Sequence, residues 1–186
     1  MPTTKTRYPL AVALERAMAL RERLAPYCER PPEIAGSIRR KAFFVHDVEL
    51  LCIPKVSMSK DMFADTAAEI NLLDQHIDAM IRDGVLEKRG GYGPKNKMLR
   101  TVDSLALPID VFSTTAENWG MTLMVRTGPK EFNIRVMSRL KALGHRGHAY
   151  GGITLHADDD AHRREIACPT EQTVFDALRW SYIEPE

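Results

Sequence analysis

Very little net charge survives in this sequence of 186 residues: 26 lysines and arginines against 25 aspartates and glutamates leave a formal +1. No global field advertises a polyanionic partner, so any basic surface has to be local. Cysteine is scarce as well. Cys28, Cys52 and Cys168 are the only three, and they lack zinc-type spacing. An odd count argues against a disulfide framework and makes a reducing cytoplasm the simplest setting. The N-terminus has no apolar leader, and no apolar run reaches the ~18 residues of a membrane helix, so neither secretion nor membrane spanning is expected. Repeats and low-complexity linkers are missing too. What remains is an ordinary composition, 44% hydrophobic and 27% charged, in a chain long enough for one domain or two small ones. A soluble intracellular monomer is the expectation.

The hydrophobic pattern alternates helices and strands. Leu10, Leu14, Ala17, Met18, Leu20 and Leu24 recur at helical spacing behind Pro9. A short strand over 33–35 leads to a Gly36-Ser37 turn and a short helix through Lys41. Residues 47–53 read as a strand closed by Pro54, and 60–82 as a helix with Gly84 at its C-terminal end. Strands over 85–88 and 98–102 flank a basic, glycine-rich loop; 109–112 and 121–126 are further strands. A basic amphipathic helix over 130–143 follows Thr127-Gly128-Pro129, then a hairpin around 151–156 and a closing helix over 171–178. The natural division lies near Thr127, giving a body over 1–127 and a smaller piece over 128–186.

Two features carry chemistry. Gly36-Ser37 can bring backbone and hydroxyl close to a phosphate, and Arg40 adds a guanidinium fork suited to phosphate oxygens. Asp47 and Glu49, two residues apart on a strand, point to one face. Asp110 is a lone acid inside the apolar run Ile109-Asp110-Val111-Phe112, a costly place for a carboxylate without a partner. Three such acids suit a two-metal phosphoryl-transfer site, because magnesium takes hard oxygen ligands. Lys130, Arg135, Arg139 and Lys141 give their helix a local basic surface, with Phe132, Val136, Leu140 and Leu143 falling inward. The stretch from Lys88 to Lys97, with Lys95 and Lys97, is a second basic candidate. His145, His148, His156 and His162 lack the cysteine or acid that usual zinc spacing needs, and Asp158-Asp159-Asp160 reads as a turn.

Taken together, Gly36-Ser-Ile-Arg-Arg40, the eleven-residue step to Asp47-Val-Glu49, Asp110, and Thr127-Gly128 seventeen residues later resemble the family X DNA polymerases, the polymerase beta group. Phe132-Asn133, Tyr150-Gly151 and the closing Leu178-Arg-Trp-Ser-Tyr-Ile-Glu-Pro185 extend the resemblance from about Tyr27 onward. The form is similar to the minimal palm-and-thumb members encoded by some viruses. The resemblance implies an α+β fold: a nucleotidyltransferase palm, with a mixed sheet and helices on one face, followed by a small α/β thumb.

By the same resemblance, Asp47 and Glu49 would bind both of two magnesium ions, with manganese able to stand in. Asp110 would bind the catalytic ion and help deprotonate a primer 3′-hydroxyl. Gly36, Ser37 and Arg40 would hold the β- and γ-phosphates of a dNTP. Thr127-Gly128 would bend beneath its sugar, and Asn133 would reach the minor-groove edge of the new base pair. The implied activity is template-directed addition of a dNTP to a primer at short gaps in DNA, as in repair. The alternatives are non-templated nucleotidyl transfer to a nucleic-acid end or small molecule, and a catalytically weak nucleic-acid-binding module. The chain departs from the family pattern at Glu49, usually Asp, at His46, usually Gly, and at Val125-Arg126, where aromatic residues are common.

Overall fold

The computed structural model describes residues 6–59 and 68–186. In chain order they form β1 (Tyr8–Pro9), α1 (Leu10–Leu24), β2 (Glu33–Ile34), α2 (Gly36–Arg39), β3 (Phe44–Val45), β4 (Val48–Cys52), β5 (Val56–Ser59) and β6 (Ala68–Asn71). Then come α3 (Leu72–Arg82), β7 (Leu86–Tyr92), β8 (Asn96–Thr101), β9 (Pro108–Ser113), α4 (Trp119–Thr127) and α5 (Lys130–Ala142). Strands β10 (Arg146–Gly147), β11 (Ile153–Leu155) and β12 (Arg164–Ile166) precede α6 (Glu171–Leu178).

The chain divides into two compact units: Met1–Ile34 with Phe44–Ser113, and Ala35–Phe43 with Thr114–Glu186. The cut at Ser113 lies before the Thr127 boundary that composition suggests. Thr127 closes α4, and Met121 and Met124 of that helix share one apolar core with Val136 and Leu140 of α5. A boundary at Thr127 would split that core. Helix α2, with Gly36 and Ser37, goes with the second unit.

The first unit is built on a five-stranded sheet ordered β2-β4-β9-β8-β7. Only β4 and β9 run parallel; the other neighbours are antiparallel, so the sheet is mixed as expected. Val48, Leu50 and Cys52 are fully buried, as are Ile109 and Val111 on β9. Helix α1 buries Ala13, Ala17, Leu20 and Leu24 at three- and four-residue steps and packs against β4. Helix α3 buries Leu73, Ile77 and Met80. Its first turn is capped by Asn71, whose side chain accepts from the Asp74 N–H at 3.0 Å. Two expectations change here. Of the helix expected over 60–82, only 72–82 is helical; 68–71 pairs with β5, and 60–67 lies outside the described residues. The glycine-rich stretch is mostly strand rather than loop: β7 runs to Tyr92 and β8 begins at Asn96.

In the second unit, residues 121–126 are helical, not a strand. Trp119 through Met124 are all buried, and a short apolar run buried on every side has no period that separates helix from strand. Helices α4, α5 and α6 and the three-stranded sheet β10-β11-β12 enclose a core of Met121, Met124, Val136, Leu140, Ile153, Val174, Phe175 and Leu178. Helix α6 keeps its expected ends, capped by Thr170, which accepts from the Thr173 N–H at 3.3 Å. Backbones approach closely at Gly120, where an added Cβ would lie 2.0 Å from the Thr170 carbonyl carbon.

Candidate active site

Within the first unit, the parallel pairing of β4 and β9 sets the three acids. Cα partners are Val48 with Ile109 and Glu49 with Asp110. In-register parallel partners present their side chains to the same face, and the strand period puts Asp47 on that face too. Opposite them, Val48 and Ile109 turn into the core. The sequence therefore places a carboxylate wherever the sheet needs a polar residue on this face, and an aliphatic wherever it needs a buried one. Asp110 and Glu49 are half-buried.

A neighbouring cation already engages Asp110. The Arg89 guanidinium donates to Asp110 Oδ1 at 2.6 Å, and its Nε donates to the Leu99 carbonyl at 2.9 Å. Beside Asp47 opens a cleft of about 410 Å³ lined by His46, Arg89 and Arg100. His46 is not idle: its Nδ1 lies 2.8 Å from the Thr6 carbonyl oxygen. All three donors are carboxylates, the hard oxygen chemistry that magnesium or manganese takes. They fit such an ion in type and register. As the side chains stand, however, no three His, Cys, Asp or Glu groups among the described residues gather into a cage.

The phosphate-grip residues lie in the second unit. Gly36 has φ +63°, a left-handed conformation that favours glycine and opens α2. Arg40 donates to the Thr127 carbonyl oxygen. Gly128 follows at φ +64°, where an added Cβ would lie 3.4 Å from the Arg40 guanidinium. Asn133 donates through Nδ2 to the Val125 carbonyl at 2.8 Å, and its Oδ1 is buried without a hydrogen-bond partner among the described residues. That leaves one buried acceptor without a donor among the described residues. Arg40, Thr127, Gly128, Lys130 and Asn133 line a single cleft of about 550 Å³. Val125 and Arg126 line it too, and no aromatic side chain does. The Arg126 guanidinium sits 4.6 Å from the centre of the Tyr150 ring.

Arg39, adjacent to Arg40, holds this corner together. Its guanidinium donates to both Glu171 carboxylate oxygens at 2.7 and 2.6 Å and to Thr127 Oγ1 at 2.8 Å. Tyr182 reaches Glu171 at 3.5 Å. Burial pushes the Tyr182 phenol above its usual range, and the charges of Glu171 and Glu184 add to the effect. No local signal in the sequence ties Arg39 to a glutamate 132 positions away, and none marks Arg89 as the partner of Asp110.

The basic candidates divide. On α5, Lys130, Arg135 and Lys141 are exposed, Arg139 is half-buried with Nε on the Leu178 carbonyl at 3.2 Å, and Val136 and Leu140 face the core. Lys95 is exposed in the β7–β8 turn. Lys97 is different: it is 1% exposed, ion-paired with Asp74 at 2.6 Å and donating to the Gly93 carbonyl. Strand alternation turns it inward beside Leu99, so it cannot meet DNA. Nearby, burial and the hydrogen bond to Asp78 raise the Tyr92 phenol well above its ordinary value. None of the described helices is long and apolar enough to cross a membrane.

Comparison with known proteins bears on the fold. Residues 122–186 match the DNA polymerase beta thumb family. Among solved structures, polymerase beta of Leishmania infantum, in a ternary P/T complex, superposes with a TM-score of 0.73 at 20% identity. The match covers 97% of this chain and 76% of that one. No curated protein matches the sequence. The chain thus has the α+β fold of polymerase beta and ends in a segment matching its thumb.

Proposed function

We propose that the protein is a template-directed DNA polymerase that adds a dNTP to a primer 3′-hydroxyl at short gaps, in the service of DNA repair. The primer oxygen bonds to the α-phosphorus, the bond from that phosphorus to the β-phosphate bridge breaks, and pyrophosphate leaves. Asp47, Glu49 and Asp110 would hold divalent cations. When bound, magnesium or manganese supplies Lewis-acid stabilisation of the charge on the triphosphate and the attacking oxygen. Asp110 helps take the hydroxyl proton. Gly36, Ser37 and Arg40 hold the β- and γ-phosphates, which chemistry of this class secures by positioning and electrostatics rather than by covalent steps. Asn133, whose Oδ1 has no hydrogen-bond partner among the described residues, reaches the minor-groove edge of the new base pair. Lys130, Arg135, Arg139, Lys141 and Lys95 track the DNA backbone, giving modest affinity that falls steeply with salt.

The observation that carries this reading is the register Glu49↔Asp110 on parallel strands, with Asp47 on the same face. The test is a labelled one-nucleotide-gapped duplex incubated with each dNTP and magnesium. Asp110→Ala is expected to abolish extension, by a factor of 10³ or more on the order usual for a lost catalytic group, while binding the duplex within about twofold of the parent. Extension by that variant at the parent rate would remove Asp110 from the site.

A further inference from the structure

We infer that Arg89 is a positioning residue of the carboxylate site: its guanidinium occupies Asp110 in the cation-free protein and is displaced when a divalent cation is taken up. This rests on the polymerase reading of Asp47, Glu49 and Asp110. Arg89 belongs to β7, the far edge of the sheet, whereas Asp110 is on β9, with β8 between them. To reach across, the side chain lies over β8, its Nε anchored to the Leu99 carbonyl at 2.9 Å and a terminal nitrogen on Asp110 at 2.6 Å. The two side chains are 22% and 13% exposed, so water screens the pair poorly.

The strand is shaped to permit this reach. Pairing of β7 with β8 is regular up to Lys88↔Leu99 and resumes at Tyr92↔Lys97, with a register shift between. Arg89 is the first residue of that irregular stretch. Bulges of this kind break the ladder and re-aim a side chain. Gly90 follows, where an added Cβ would come within 3.2 Å of Met98 Sδ, so a side chain there would have to push the Met98 side chain aside. Arg89 also lines the cleft beside Asp47, which puts it at the same opening as that acid. A guanidinium and a divalent cation repel one another, so Arg89 on Asp110 Oδ1 competes with a cation for that carboxylate. Arg89 therefore holds Asp110 in a neutral, ordered arrangement and sets how readily the site loads.

Titration of the full-length protein with Mn²⁺, free manganese being read by electron paramagnetic resonance without DNA or nucleotide, tests this directly. Arg89→Gln keeps length and polarity but loses the charge, and it is expected to bind Mn²⁺ about tenfold more tightly than the parent. Arg89→Lys keeps the charge and stays within about threefold of the parent. Equal or weaker binding by Arg89→Gln would overturn the inference. In the unmodified protein, the Arg89 guanidinium nitrogen resonances, assigned by their loss in Arg89→Lys, move on addition of Mg²⁺; unmoved resonances would also overturn it. The underlying reading fails separately, if Asp110→Ala binds Mn²⁺ as well as the parent.

Discussion

In the first unit, charge lies inside the fold. Lys97, 1% exposed, shares a 2.6 Å ion pair with Asp74, and Arg89 and Asp110 make a second pair at the same distance. In the second unit, the central cluster from Met121 to Leu178 is made of apolar side chains. There, close fit comes from glycines: an added Cβ would lie 2.0 Å from Thr170 backbone at Gly120 and 1.9 Å from the Ile166 carbonyl oxygen at Gly152. The difference follows from how each unit fixes position. A ladder such as Glu49↔Asp110 fixes the face each strand residue takes, and the buried charges there are compensated by ion pairs reached from another strand or a helix. Helices meeting a three-stranded sheet have no such ladder between them. Their alignment depends on how closely the backbones come together, and any added atom at those points is felt in full.

The largest expected effect breaks the second unit at Gly120. In the middle of an exposed helix, Gly→Ala gains about 1 kcal/mol from helix propensity. Here the added methyl overlaps the Thr170 backbone, where no flexible side chain can yield. Gly120→Ala is therefore expected to lose more than ~4 kcal/mol and to lower the melting temperature by roughly 10 °C or more. Calorimetry or circular dichroism decides the sign: a rise in melting temperature would mean that propensity outweighs contact at this position.

Next in size is Lys97 in the first unit. Truncation to Ala removes a buried stem and strands Asp74 beside apolar groups, at an expected cost of about 3 kcal/mol. Lys97→Met keeps the stem and should cost about half as much, because Asp74, 29% exposed, retains some water. Chemical denaturation of the two variants gives the comparison. In a salt titration of duplex binding, Lys97→Met is expected to keep the parent slope, since a buried ammonium releases no counterions. A shallower slope would return Lys97 to the DNA surface.

Lys97 also shows where sequence reading succeeds and where it stops. Strand periodicity puts Asp47 and Glu49 on one face, and Asp110 stands out because an acid in an apolar strand needs a reason. The ends of α6 and the start of α5 are legible for the same local causes of capping and amphipathic spacing, whereas the mixed sheet follows from the family resemblance alone. A run of lysines and glycines from 88 to 97, by contrast, looks like a solvated loop, because composition does not say which alternate residue turns inward. Nor does the fully buried run from Trp119 to Met124 carry a period to separate helix from strand. The ion pairs of Arg39 and Arg89 span 132 and 21 positions. They are products of the completed fold, and nothing in either neighbourhood points to the partner.

The smallest effect concerns Arg39, whose pair with Glu171 is a charged tie of the second unit like those of the first. Its side chain is 19% exposed and that of Glu171 11%, so water screens the pair poorly, as it does Arg89 and Asp110. Arg39→Ala is expected to lose about 2 kcal/mol, below the range for fully buried pairs. Because Arg39 also donates to Thr127 Oγ1, its loss loosens the residue whose carbonyl holds Arg40. Under the polymerase reading the result is a KM for dNTP raised several-fold with kcat little changed, the pattern of lost uniform binding. A double-mutant cycle of Arg39→Ala with Glu171→Ala isolates the pair, with an expected coupling of about 1.5 kcal/mol. Coupling near zero would assign the stability to Thr127 alone, and would leave the Arg39–Glu171 pair with nothing to set beside the ion pairs of the first unit.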